Sequence, residues 1–274
     1  ISDLSKEGAV GFKITFGGGP TAVKNDGVIM DAFQRISEAG SIASIHAENH
    51  QLYLFFKDKI ITSGRKDAAT YSESRPNIVE AEAISRAIWF SRYAGNRIHI
   101  AHMSTKEGVE LVKAAKAGGQ KITVEVCPHH LLLTKKDYQD LGHYIVVNPP
   151  MRSEEDAAAL WAGLADGTVD ILATDHCAFP KQEKDVGARN IWETPPGIPN
   201  LETFVSLLLS EGVNQGRISV ERFIEVTSET PAKIFGLYPH KGALQLGSDA
   251  DLTVIDLEKE GRIGSEQLKC VGDY

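Results

Sequence analysis

The chain has 274 residues, of which 42% are hydrophobic and 24% charged, enough apolar material for one large globular domain with at most a small appendage. Its net charge of -8, from 29 basic against 37 acidic side chains with no strong block of either sign, argues against nucleic acid as a partner. No run approaches the ~18 consecutive apolar residues of a membrane helix, no signal peptide is visible at the start, and the 3 cysteines, Cys127, Cys177 and Cys270, are too widely spaced for a disulfide framework or a zinc ribbon, so a cytoplasmic protein without a membrane partner is expected.

Residues 9–16 read as a buried strand carrying one lysine, Lys13, followed by a flexible loop of glycines and Pro20. Taken singly, that lysine reads as an amine that snorkels out or pairs with an acid. Asn25 or Asp26 can cap a helix in which Val28, Ile29, Ala32, Phe33 and Ile36 recur at helical spacing up to Gly40. Residues 41–48 form a second strand that puts His46 and Glu48 on one face at its carboxyl end. A polar segment through Lys57, Lys59, Arg65 and Lys66 to Pro76 reads as irregular or partly helical, and residues 78–93 return to a helical period. Residues 97–104 make a third strand with His102 and Ser104 at its carboxyl end, while His99, nearer the beginning, reads as a structural histidine. A helix over 106–117 stops at Gly118 and Gly119, and residues 122–127 make a fourth strand running into Pro128, His129 and His130.

Residues 144–152 read as a short extended run ending in a loop that Pro149 and Pro150 hold stiff, with Asn148 and Arg152 as polar groups on that support. Ser153 caps a helix over 153–165, and then an apolar run, Ile171, Leu172 and Ala173, ends abruptly in Asp175 and His176. The loop 194–200, with Pro195, Pro196, Gly197 and Pro199, leads to an apolar helix over 201–209, and further helical segments lie around 220–227 and 231–235. From Gly242 the texture changes: residues 243–256 read as a turn feeding a β strand, the start of a small β unit that the chain does not complete.

Strands alternating with helices imply a parallel sheet with helices outside it, and polar residues gathered at the strands' carboxyl ends favour a barrel over an open sheet. The pattern supplies five strand-helix units where a closed (β/α)8 barrel needs eight, so about three are expected ahead of Ile1. The competing architecture, an open doubly wound sheet, lacks its glycine-rich phosphate turn here. In a barrel, Lys13, His46, His102 and Asp175 would converge on one mouth from four strands. Two neutral imidazoles and a carboxylate suit a divalent transition metal, and a lysine amine carboxylated by carbon dioxide becomes a carbamate with two oxygens able to bridge two metals.

The same residues carry a family resemblance. GFKI at 11–14, IHAEN at 45–49, IAHMST at 100–105, EVCPHHL at 125–131, NPPMR at 148–152, ATDHC at 173–177 and GALQLGSDAD at 242–251 together resemble the cyclic amidohydrolases of the amidohydrolase superfamily, which includes dihydroorotase, hydantoinase (dihydropyrimidinase) and allantoinase. The resemblance implies a (β/α)8 TIM-type barrel over residues 1–241, incomplete at its N-terminal side, with residues 242–274 forming part of a small β-sandwich. It implies a binuclear centre, usually zinc, that opens ring amides by water attack in a homo-oligomer. Lys13 would be the carboxylated bridging ligand, His46 and His102 would hold the more exposed metal, and Asp175 would bind the other and shuttle the proton. Asn148 and backbone groups around Gly197 would orient a small cyclic amide.

Two departures stand out. The family's first strand carries a His-x-His pair that binds the buried metal, and no such pair exists here, since His129 and His130 are adjacent and follow a later strand. The substrate motifs also divide. NPPMR and PPGIPNLET at 195–203 resemble dihydroorotase, which usually has a histidine where this chain has Phe179; DHCAF at 175–179 resembles hydantoinase, which usually has an asparagine near Pro196 and a tyrosine in the loop after Lys13. A different class also fits the pattern, a non-catalytic barrel homologue serving as a scaffold or assembly subunit. Such relatives commonly lose metal ligands, whereas every ligand position this chain covers is filled.

Overall fold

The computed structural model describes residues 1–17 and 21–274. Five strands, β1 (Phe12–Thr15), β2 (Ile42–His46), β3 (Arg97–Ile100), β4 (Ile122–Val126) and β5 (Ile171–Leu172), pair in parallel in the order β1-β2-β3-β4-β5. Helices fill every crossover: Asp26–Glu38, then His50–Thr62 with Asn77–Ala94, then Lys106–Ala117, then Glu154–Asp166. Strand order that follows the chain without reversal is the order within a barrel wall, whereas a doubly wound sheet turns back on itself at a switch point. Of the glycine loop expected after β1, residues 18–20 lie outside the described residues.

Local chemistry explains the helices. Asn25 accepts from the backbone N–H of Gly27 and Val28, Asn49 from Gln51 and Leu52, Thr105 from Gly108, and Ser153 forms a reciprocal capping box with Asp156. Helix Asp26–Glu38 then buries Ile29, Phe33 and Ile36, one stripe at helical spacing. Those side chains meet Ile14, Ile45, Ile98, Ile100 and Val124 from the strands and Ile84, Val112, Leu160 and Leu164 from the other helices in one continuous core. Each such side chain taken from water stabilises the fold by roughly 1.5–3 kcal/mol before its ordering cost is counted.

A second, smaller cluster, with Tyr71, Tyr138, Ile145, Val146, Val147, Met151 and Ile191, lies apart from the first. It accounts for one difference from the sequence reading. Residues 144–152 do not run extended: a 3-10 turn over Gly142–Ile145 leads into a loop with a cis Asn148-Pro149 bond, because Ile145, Val146 and Val147 bury their side chains in this cluster instead of joining the sheet. The polar segment after β2 is more regular than expected, helical over His50–Thr62 and Ala69–Glu73. Residues 243–256 form no strand: Leu244, Leu246, Leu252 and Val254 are exposed, and among the described residues nothing pairs with them. No helix among the described residues is long and apolar enough to cross a membrane.

One close approach sets the geometry of the strand ends. A Cβ on Gly17 would lie 2.2 Å from the carbonyl oxygen of Glu48 and 2.7 Å from the backbone nitrogen of His50. Only glycine lets the exit of β1 sit directly against the exit of β2, which brings the strand of Lys13 beside that of His46.

Candidate active site

Lys13 lies inside β1 opposite Ser44, and His46 is the last residue of β2. His102 follows β3 by two residues and Asp175 follows β5 by three. Among the described residues, only two that are not glycine have positive φ, and they are His102 at 37° and Asp175 at 44°. Left-handed backbone costs a residue with a side chain on the order of 1–3 kcal/mol, and such strain persists where the surrounding fold enforces it. Two of the four residues that the sequence singled out are thus held in strained conformations at the ends of their strands.

The two imidazoles face each other. His46 Nδ1 lies 3.0 Å from His102 Nε2, with ring centroids 4.7 Å apart and planes inclined at 66°. On its other side, His46 Nε2 is 2.9 Å from Glu48 Oε2, and Arg75 Nε is 3.1 Å from Glu48 Oε1. Burial alone would raise the Glu48 carboxyl, but Arg75 and His46 overcome it and hold it at about 2. An ionised carboxylate only accepts, so His46 Nε2 carries the hydrogen and Nδ1 offers its lone pair toward His102. Burial, with His46 and Lys13 nearby, pushes His102 well below the usual histidine range, so its ring stays neutral. Its Nδ1 is buried without a hydrogen-bond partner, so the ring hydrogen can sit on either nitrogen.

Lys13 and Asp175 keep solvent contact, yet each is crowded enough to disfavour its charged form. Burial lowers Lys13 despite the neighbouring Glu125 and Asp175, and burial raises Asp175, with Glu125 adding to the effect and Lys13 opposing it. Glu125 escaped the sequence reading. It accepts from the His102 N–H at 3.2 Å, lies 3.0 Å from His99 Nε2, and is held below the usual carboxylate range by that histidine against the effect of burial. The signal was present as the one charged residue of β4. His99 is structural, as expected, tied to Glu125 and to Thr123 at 2.9 Å.

Cys127, His129 and His130, all buried, also bring ligand atoms within 4.8 Å of one another. Their neighbours assign the ring hydrogens differently. His130 Nε2 donates to the Pro149 carbonyl at 2.9 Å, leaving a lone pair on Nδ1. The Asn200 amide nitrogen, which donates to the Thr174 carbonyl at 2.7 Å, also lies 3.0 Å from His129 Nδ1, so that nitrogen accepts and Nε2 carries the hydrogen. The pair therefore holds one donor and one acceptor, not two metal-binding lone pairs.

Asn148 and Gly197, the positions expected to orient a substrate, sit on adjoining loops. Tyr71 donates its hydroxyl to Asn148 Oδ1 at 2.7 Å, and Gly197 donates its N–H to the Val146 carbonyl at 2.9 Å. A Cβ on Gly197 would lie 2.4 Å from the Cys177 carbonyl and 2.8 Å from the Phe179 ring, so no side chain fits there. Arg152 is locked away, donating to Ser104 Oγ and to the Arg75 carbonyl and pairing with Glu80. His176 accepts from the N–H groups of Asn200 and Leu201, both at 3.1 Å, so it pins a loop.

Lys184 fastens these loops from below. Fully buried, it donates to the carbonyls of Val146 at 3.1 Å and Pro195 at 3.0 Å, and burial lowers it to about 7. Between about pH 7 and the ordinary lysine value, the unfolded chain binds the proton that the folded chain has released, so stability rises with pH across that window. Replacing Lys184 by Met should flatten that slope, which denaturant unfolding at pH 7 and pH 9.5 would measure; an unchanged slope would contradict the assignment.

The family described as the amidohydrolase family matches residues 4–271. The L-hydantoinase of Paenarthrobacter aurescens is 39% identical over 100% of this chain and 60% of its own length. A D-phenylhydantoinase of Escherichia coli is 37% identical over 91% of this chain and 55% of its own. Among solved structures, L-hydantoinase (dihydropyrimidinase) from Arthrobacter aurescens superposes with a TM-score of 0.96 at 39% identity, covering 100% of this chain and 61% of that one. D-hydantoinase from Thermus sp. superposes with 0.91 at 33% identity, covering 96% and 59%. The fold is therefore that of the hydantoinase barrel, and the chain spans about three-fifths of these relatives.

Proposed function

The chain belongs to the amidohydrolase family, and on that premise we propose that its protein opens cyclic amides of the hydantoin class by metal-assisted hydrolysis. The observation that carries this reading is the approach of His46 Nδ1 and His102 Nε2 to 3.0 Å, beside a lysine and an aspartate crowded toward their neutral forms. Two imidazole nitrogens with a carboxylate fit a borderline divalent ion, zinc before others. Such an ion supplies Lewis acidity, polarising the ring carbonyl and lowering the pKa of the attacking water. Lys13 enters as its carbamate and adds two oxygen donors. Asp175 takes the proton released by the water and passes it to the leaving ring nitrogen, a role that suits a carboxyl raised toward neutrality by burial. Asn148 and the loop at Gly197 orient the ring.

The strain retained at His102 and Asp175 favours an enzyme over a scaffold, because a barrel that had shed its chemistry would gain stability by relaxing both. That these relatives are named hydantoinases supports a hydantoin over dihydroorotate as the ring opened here. A cytoplasmic homo-oligomer remains the expected setting, with residues 242–274 belonging to a small β unit. The test is turnover by the longest form of the protein after loading with zinc and bicarbonate. Opening of 5-substituted hydantoins is expected; a folded, metal-loaded protein that opens neither hydantoins nor dihydroorotate would overturn the reading.

A further inference from the structure

Behind His46 lies a buried charge pair for which metal ligation and substrate contact provide no use. Glu48 is fully buried, Arg75 is nearly so, and the guanidinium stacks 3.8 Å above the Tyr53 ring and 4.8 Å above the Tyr71 ring. A buried ion pair is poor evidence of stability, since well-packed apolar replacements are often neutral or better. What this pair has that an apolar pair lacks is charge. Arg75 Nε lies 3.1 Å from Glu48 Oε1 as an ion pair without hydrogen-bond alignment, so its positive charge draws Oε1 to that side while Oε2 meets His46 Nε2 at 2.9 Å. The same arginine packs against Tyr71, whose hydroxyl donates to Asn148 at 2.7 Å.

We propose that Glu48 and Arg75 are positioning residues: together they lock His46 in the tautomer whose Nδ1 lone pair faces His102, and through Tyr71 they hold Asn148 in register with that face. The proposal rests on the metal-site reading of His46 and His102. Its physical basis is general. A ligating imidazole has its tautomer fixed by whatever accepts from the other nitrogen, and loss of such a partner typically costs about 10- to 100-fold in metal affinity.

Glu48→Gln makes a sharp test because it keeps size and shape. The guanidinium attracts the amide oxygen to the Oε1 position, which turns the amide NH2 toward His46. A donor there forces Nε2 to accept, so the ring hydrogen moves to Nδ1 and the lone pair facing His102 is lost. The probes are nitrogen-15 ring correlations of His46 in the metal-free chain and zinc affinity by competition with a chromophoric chelator. The wild type should show hydrogen on Nε2, and Glu48→Gln should show it on Nδ1 with zinc bound about 10- to 100-fold more weakly. In Glu48→Gln/Arg75→Met the amide can rotate to present its oxygen, so the Nε2 hydrogen and most of the affinity should return.

A wild-type ring with hydrogen on Nδ1 would overturn the proposal without any variant. So would a folded Glu48→Gln protein that keeps the wild-type tautomer, or a double variant that binds zinc no better than the single. A failure to open hydantoins would leave the tautomer result standing, so the two readings fail separately.

Discussion

Replacing Asp175 by asparagine is expected to leave the fold intact and lower turnover by roughly 10²- to 10⁴-fold, the contribution of a positioned proton-transfer group. The separation of the two effects follows from the backbone. At φ 44° the residue sits in the left-handed region, where asparagine is as well tolerated as aspartate. Burial already disfavours the Asp175 carboxylate, so a neutral amide of the same shape adds no desolvation cost. Unfolding free energy should therefore stay within about 0.5 kcal/mol of the wild type, as for a surface change away from the core. Asp175→Val provides the contrast. A β-branched side chain cannot accept that backbone, so about 1–3 kcal/mol should be lost together with activity. Chemical unfolding and steady-state hydrolysis of a hydantoin measure both quantities. Wild-type turnover in Asp175→Asn would remove Asp175 from the mechanism.

The strands and helices were legible because their causes are local. Period-two and period-3.6 patterns, with Asn25, Thr105 and Ser153 as caps, mark most of the elements before any contact is known, whereas the helix that Asn49 caps was not legible in its polar segment. Lys13, His46, His102 and Asp175 were legible for a second reason, since each places a chemistry-bearing side chain where an apolar strand stops or should be apolar throughout. Glu125 was legible in principle, but its role depends on His99 and the His102 N–H across the β3–β4 pairing, which spacing does not encode. The run 144–147 was misread because Ile145, Val146 and Val147 look alike whether they enter a sheet or a side cluster; the deciding partners, Tyr71 and Ile191, lie far away in sequence. Residues 243–256 alternate like a strand, but a strand needs a neighbour, and among the described residues none lies alongside. The pairing of Glu48 with Arg75 was beyond reach for the same reason, since Arg75 lies on a different segment.

Lys13→Arg should be the most damaging change to metal loading, and it tests the carbamate directly. Carbon dioxide adds only to a neutral amine and releases a proton as the carbamate forms. The fold helps the first condition, because burial lowers Lys13 despite the acids around it and so enlarges the neutral fraction at any given pH. Arginine keeps the charge and the reach, remains protonated throughout the accessible pH range, and cannot form the carbamate. The wild-type protein is expected to gain both metal and the mass of one carbon dioxide on intact-protein mass spectrometry when zinc and bicarbonate are supplied together. Lys13→Arg should gain neither, with zinc affinity reduced by more than the ~100-fold that follows loss of an outer partner, because here the donor itself is gone. The arginine also places a fixed positive charge beside the facing nitrogens of His46 and His102, which disfavours a divalent cation further. If Lys13→Arg takes up zinc as the wild type does, and the wild type ignores bicarbonate, then Lys13 is a charge partner of Glu125 and Asp175, and the site holds its metal through imidazole and carboxylate alone.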